Sequence, residues 1–306
     1  MRRRDLLIAA ILTAIVSSAP VAAAGPLKVV ATFSVLGDMA ATIAGDRVAL
    51  TVIVGGDGDT ELYQPTPADA RALAEAELLV LNDINPEFEP WLDGLVRQSG
   101  FKGGRLVASR GAKIITEAEE EGHDAGNSAP KSDQHAWHDL ANGAIYARNI
   151  GEGLAKADPA NADFYKIRTD AYIADIRKLD AWTKAEIAQV PKAKRKVITS
   201  HDGFEYLGKA YGIRLVPARG WVNDKEASAD DIARLVRQIR QDKVKAIFVE
   251  NMNDPRVIER VAQETGAAIG GTLYSDALSK PGGGADTYLT MMRHNIETLK
   301  AGMLKN

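Results

Sequence analysis

Glu61, His135, His201 and Asp276 stand in four separate segments of the chain, each beyond a strand-like run. Two imidazoles and two carboxylates make a closed shell suited to a divalent transition metal, because nitrogen and oxygen donors both serve Zn²⁺ and its neighbours. The four lie so far apart in sequence that only a folded, two-lobed protein could bring them together. His201 has the strongest local case. It follows Val197-Ile-Thr-Ser200 at the carboxyl end of an expected strand, where open α/β sheets place ligands. His135 sits in Asp133-Gln-His-Ala-Trp-His-Asp139, just before a helical run. His138 lies one turn on, so the two could share a metal, or one could bind while the other is solvated. Asp276, after a short strand, reads by itself as a turn or helix cap. Glu61, in a loop rich in Gly and Asp, reads by itself as a solvated carboxylate.

Other residues carry weaker signals. His123 in an acidic stretch reads as a surface histidine, and His294 on the last helical segment as structural or solvated. Trp221, on a polar connection at 220–228, reads equally as a cleft cover or a packing residue. The sequence contains no phosphate-binding glycine loop, no nucleophile elbow and no H-E-x-x-H motif. The glycines after Pro281 have no preceding strand and read as a turn.

The elements that must position these residues alternate strand and helix. Leu27 to Phe33 reads as a buried parallel strand and Val35 to Ala44 as a helix stopped by Gly45. Val48 to Val54 is a second strand. Pro67 to Glu77 is a helix entered through Thr66 and Pro67, and Leu78 to Leu81 a third strand. Thr116 to Asp133 is a polar, acidic surface loop. Asn161 to Gln189 is the longest helical pattern, with Phe164, Ile167, Tyr172, Ile176, Leu179 and Trp182 at helical spacing. At 1.5 Å per residue it would run roughly 43 Å, long enough to act as a rigid strut along two lobes. Lys196 to Ser200 and Val244 to Glu250 then repeat the strand pattern of the first half. This weak internal symmetry predicts an α/β protein with two similar, mostly parallel-sheet lobes and a ligand in the cleft between them.

The bulk composition fits such a protein. The chain has 306 residues, 45% hydrophobic and 26% charged, without the basic excess that nucleic acid would require. Residues 1–24 read as a signal peptide: Arg2 to Arg4, a short apolar stretch from Leu6 to Val16, and a small-residue cleavage site at Ala22 to Ala24. An N-terminal anchor helix is the alternative, and the two arginines before Asp5 loosely fit twin-arginine export. Cleavage would take the formal net charge from −3 to −5 by removing three Arg and one Asp. With no cysteine in the sequence, thiolate ligands and a lipid-modified cysteine are excluded, and the expected location is the periplasm, soluble and not lipid-anchored.

Leu62-Tyr-Gln-Pro-Thr-Pro-Ala-Asp69, His135-Ala-Trp137, Thr199-Ser-His-Asp202, Phe248-Val-Glu250 and Gly270-Gly-Thr-Leu-Tyr-Ser-Asp-Ala-Leu278 occur in one order. Together they resemble the zinc/manganese-specific solute-binding proteins of bacterial ABC transporters, over nearly the whole mature chain. The resemblance implies an N-terminal lobe at 25–158, a linking helix at 159–191 and a C-terminal lobe at 192–306, with a metal in the cleft. It implies His135, His201 and Asp276 as ligands and gives none of that role to His138 or His294. At position 61 the family pattern has His where this chain has Glu. Glu61 is then a ligand itself, or three protein ligands act with water, or Asp59 moves in. Zinc ranks first, because His201 resembles the zinc members, and manganese second, because Glu61 is a harder donor. The implied partners are the metal ion, an ABC permease in the inner membrane and a periplasmic metallochaperone, with the protein itself a monomer. The rival from another class is an exported zinc hydrolase with Glu61 as general base.

Overall fold

The computed structural model describes residues 25–116, 132–217, 229–242, 244–252 and 255–306. The expected signal peptide, most of the acidic stretch with His123, and Trp221 with its connection lie outside the described residues. Two four-stranded parallel sheets form the two lobes. In the first, β1 (Leu27–Phe33) lies between β2 (Val48–Val54) and β3 (Leu78–Leu81), with β4 (Gly104–Val107) beyond β3. In the second, β5 (Lys196–Thr199) lies between β6 (Arg214–Pro217) and β7 (Ala246–Glu250), with β8 (Ala268–Leu273) outside β7. The same strand order recurs in both, which is the internal symmetry the sequence hinted at. In each sheet the chain first goes to one side of the starting strand and then to the other. The carboxyl ends of β1 and β3, and of β5 and β7, therefore mark switch points where a crevice opens.

Helices cover the sheets. They are α1 (Ser34–Ala44), α2 (Pro67–Glu75), α3 (Leu92–Ser99), α4 (Leu140–Ala157), α5 (Ala162–Ala188), α6 (Glu205–Tyr211), α7 (Ala229–Asp242), α8 (Pro255–Thr265) and α9 (Tyr288–Met303). Gly45 ends α1 at φ 57°, a left-handed backbone that suits glycine. Thr66 and Asp69 close a capping box on α2 behind Pro67.

Helix α5 is the strut. Its 27 residues run about 40 Å at 1.5 Å per residue. Near its start Arg168 Nε donates to the carbonyls of Thr42 and Ile43 at the end of α1, both at 3.0 Å. Farther along, Asp180 Oδ1 accepts from Tyr211 of α6 at 3.0 Å, and Glu186 pairs with Lys300 of α9 at 2.6 Å. One helix thus holds both lobes. Its buried face is Tyr165, Thr169, Tyr172, Ile173, Ile176, Leu179, Thr183 and Ile187. Ile167, expected on that face, is 70% exposed. The true stripe starts from Tyr165, whose hydroxyl finds Asp158 at 2.7 Å, and Ile167 falls on the opposite side.

The apolar core has two parts. The larger runs from the first sheet through α4, α5 and α9 to one face of the second sheet, including Val197, Ala246 and Phe248. The smaller packs Ile198, Ile247 and Val249 on the other face against α7 and α8. Alternating residues of β5 and β7 divide between the two, as the twofold period of a strand requires.

Candidate metal centre

His201 lies just beyond β5, and Glu250 is the last residue of β7. Thr199 Oγ1 donates to the His201 carbonyl at 2.8 Å and tightens the turn that ends β5. Glu250 is fully buried. Its Oε1 accepts from Ser200 Oγ at 2.6 Å and from His201 N at 3.0 Å, while Oε2 is ion-paired with His201 Nδ1. The carboxylate therefore fixes the ring with Nε2 as the nitrogen available to a cation.

His135 is mounted in a similar way from the first lobe. It precedes a 3-10 turn at Ala136–His138. Asp133 Oδ1 accepts from both His135 N at 2.9 Å and Nδ1 at 2.8 Å. Asn82, just past β3, donates to the Gln134 carbonyl at 2.9 Å and ties this loop to the sheet. The His135 Nε2 lies 3.2 Å from Asp276 Oδ1, and His201 Nε2 lies 3.6 Å from Asp276 Oδ2. One donor atom from each of His135, His201 and Asp276 sits within 4.8 Å of the others, all three side chains buried. Of the four residues grouped from the sequence, the structure brings these three together.

Charge reinforces the arrangement. Burial works against the charged form of His201, but Glu250 and Asp276 outweigh it and raise its pKa to about 10. Burial also opposes charge on His135, and Asp276 and Asp133 overcome it, holding the imidazole well above the usual histidine range. Burial opposes the Asp276 carboxylate, and the two imidazoles reverse the effect and hold it below its ordinary value.

Glu61 stands apart from the cluster of three. Its Oε1 accepts from Gln134 Nε2 at 2.8 Å, so it is tied to the residue preceding His135. Burial, then the charge of Asp276, raises its pKa to about 7, partly offset by His135 and His201. Asp59 shapes the loop: its Oδ1 accepts from Glu61 N at 2.9 Å and Leu62 N at 3.0 Å. Glu61 and His135 do not follow strands directly, since one lies in this loop and the other begins a 3-10 turn. His138 is buried with Nε2 3.0 Å from the Ser275 carbonyl, so it is neither solvated nor in the cluster. His294 meets the Thr272 carbonyl at 2.9 Å and the ring of Tyr274, a structural tie between α9 and β8.

Sequence reasoning missed Asp133 and Glu250 as the groups behind the two histidines. Asp133 carried a local signal, an acid two residues before a candidate histidine. Glu250 carried one only through strand pairing: Ile198 on β5 faces Ile247 on β7, which brings positions 201 and 250 to the same level.

The family model described as "Zinc-uptake complex component A periplasmic" matches residues 29–302. The metal ABC transporter substrate-binding lipoprotein FimA of Streptococcus parasanguinis is 35% identical over 285 residues, covering 92% of this chain and 90% of the relative. The manganese ABC transporter substrate-binding lipoprotein PsaA of Streptococcus pneumoniae is 35% identical over 283 residues, covering 91% and 89%. The periplasmic zinc binding protein TroA of Treponema pallidum superposes with a TM-score of 0.80 at 28% identity, over 92% of this chain and 99% of that one. The expected location needs correction. A soluble periplasmic protein without a lipid anchor was expected, whereas these curated relatives are lipoproteins by name. A leader reports export across a membrane and does not distinguish a free product from one kept at the surface. The hydrolase reading also falls, because the family binds solute for transport and is not enzymatic. This chain belongs to the zinc-uptake component A family, the substrate-binding proteins of metal ABC transporters.

Proposed function

We propose that the protein captures zinc through His135, His201 and Asp276, with Glu61 as fourth donor, and hands it to its transporter's permease. The observation that carries this reading is the buried convergence of three donor atoms within 4.8 Å, drawn from segments of both lobes. Two imidazoles with oriented Nε2 atoms and carboxylate donors suit a four-coordinate zinc site. Glu61 adds the charge that makes a dication, Asp276 and two neutral imidazoles electrically balanced in a partly dry cleft. Gln134 occupies one oxygen of Glu61 and leaves the other for the ion.

Manganese is the second reading. Its support is the second carboxylate beside the cluster, a hard donor, together with relatives named for manganese. Competition titrations of the metal-free protein with zinc and manganese test both. The zinc reading expects zinc to win by more than the general affinity order for nitrogen and oxygen sites gives, and manganese binding as tightly as zinc would favour the second reading. Glu61→Ala is expected to weaken zinc about tenfold and Glu61→His to restore it. Unchanged affinity in both variants would place Glu61 outside the coordination shell.

A further inference from the structure

His138 and Trp137 are not in the donor cluster, yet both aim a ring N–H at one atom beside it. Trp137 Nε1 donates to the Ser275 carbonyl at 3.1 Å, and His138 Nε2 donates to the same oxygen at 3.0 Å. Ser275 is the residue before Asp276, and both are fully buried. The two donors come from the 3-10 turn that follows His135. The turn is braced in its own right: Tyr288 donates its hydroxyl to the Trp137 carbonyl at 2.6 Å, and the Trp137 ring packs 5.0 Å from Phe33. Farther along the same segment, Leu278 N donates to Ser34 Oγ at 3.0 Å, and its carbonyl accepts from Asp57 N at 2.8 Å. The segment of Asp276 follows the last strand of the second sheet, where Asn295 and Asn251 tie Tyr274 and Ala277, and it is held from the first lobe as well, at Ser275 and Leu278.

His138 is an expensive residue for this task. It is fully buried, its ring tilted against that of Phe204 with centroids 4.9 Å apart, and its Nδ1 has no hydrogen-bond partner among the described residues. A leucine would fill the space without burying an unpaired ring nitrogen, which ordinarily costs stability. A group kept at such a cost calls for a function, and the geometry supplies one.

We infer that His138, with Trp137, is a positioning residue for Asp276: the two N–H groups clamp the Ser275 carbonyl and present Asp276 to His135 before the ion arrives. His135 and Asp276 are then preassembled, and capture is completed by His201. The inference rests on the reading of His135, His201 and Asp276 as the metal-holding residues.

The test compares His138→Leu, His138→Gln, Trp137→Phe and Asp276→Ala by zinc competition titration and by thermal midpoint of the metal-free protein. His138→Leu is expected to raise the zinc Kd about tenfold, in the range for groups that orient a ligand, while the midpoint stays level or rises. His138→Gln, whose amide can still donate, should recover most of the affinity. Trp137→Phe, which removes the N–H donor together with one of the two fused rings of a buried side chain, should weaken zinc as well and lower the midpoint. A parallel fall in midpoint and affinity in His138→Leu without recovery in His138→Gln would overturn the inference, leaving a packing role. So would wild-type affinity in His138→Leu when Asp276→Ala binds poorly. If Asp276→Ala itself binds as wild type, the metal-site reading fails first, and the positioning role with it.

Discussion

Behind His135 stands Asp133, a loop residue that uses a single oxygen for both the backbone N–H and the Nδ1 of its histidine. Behind His201 stands Glu250, the fully buried last residue of a central strand, which divides its contacts between two oxygens. The foundations differ too. The His135 loop rests on the large core, with Phe88 and Trp137 against the ring. The second sheet carries His201 between that core on one face and the small α7–α8 cluster on the other. Two mounts for chemically equivalent imidazoles can thus respond differently to the same perturbation, and how each carboxylate uses its oxygens decides which is more fragile.

The largest expected difference comes from replacing each carboxylate by its amide. In Glu250→Gln either orientation of the amide sets one donor against another. If the NH₂ faces Nδ1, that nitrogen must accept, and the proton moves to Nε2 where the metal should bind. If the NH₂ faces the other way, it meets the fixed N–H of His201. In Asp133→Asn the carbonyl can keep both His135 contacts, because Oδ2 has no partner to lose among the described residues. Glu250→Gln should therefore weaken zinc about 100-fold and Asp133→Asn no more than about tenfold, the upper and lower ends for groups behind a ligating histidine. Chelator competition measures both, and equal losses would show that the two mounts are equivalent.

Next in size is the response to pH. Metal requires neutral imidazoles, whereas Asp276 with Glu250 or Asp133 favours protonated ones in the metal-free protein, His201 to about 10. Binding must then expel protons. Because the protonated form dominates below the raised pKa, affinity should climb as pH rises from 6 to 7.5, by about tenfold per unit for each proton displaced. Calorimetry in buffers of different ionisation heat counts those protons directly. Glu250→Gln should lower the count, since it removes the charge that holds the proton on His201. A flat affinity over this range would mean that neither ring is charged before the ion binds.

The same asymmetry governs what could be read from the residues alone. In the first lobe β1, β2 and β3 fall where the pattern put them, with β2 closed by Gly55 and β3 by Asn82. His201 was legible because a histidine just past a strand is a local fact. Glu250 was not, because its meaning depends on which strand lies beside β5 and in what register, a relation made only by folding. Ile167 misled for a similar reason: helical spacing defines several stripes on α5, and only packing against α1, α4 and α9 chooses among them. Glu61 was read as the uncertain member of the set from its residue type, and its hydrogen bond to Gln134 now gives that uncertainty a structural form.

The smallest expected effect tests whether the small cluster matters to the centre at all. Ile258 of α8 is fully buried there, packed with Ile247 and Val249 on the face of the sheet opposite Phe248. Glu250 shares the parity of Phe248 along β7, so it points to the large-core face. Ile258→Val should cost about 1 kcal/mol of local stability, the usual loss for one buried methylene. Hydrogen exchange should show α7 and α8 opening earlier, while α4 and α5 keep their protection, because local openings follow contiguous packing units. Zinc affinity should stay within about twofold, since a perturbation on the far face has to cross the sheet to reach His201 and distant sites are nearly additive. A loss as large as that of Asp133→Asn would instead mean that the outer cluster sets the position of β7, and through Glu250 the tautomer of His201.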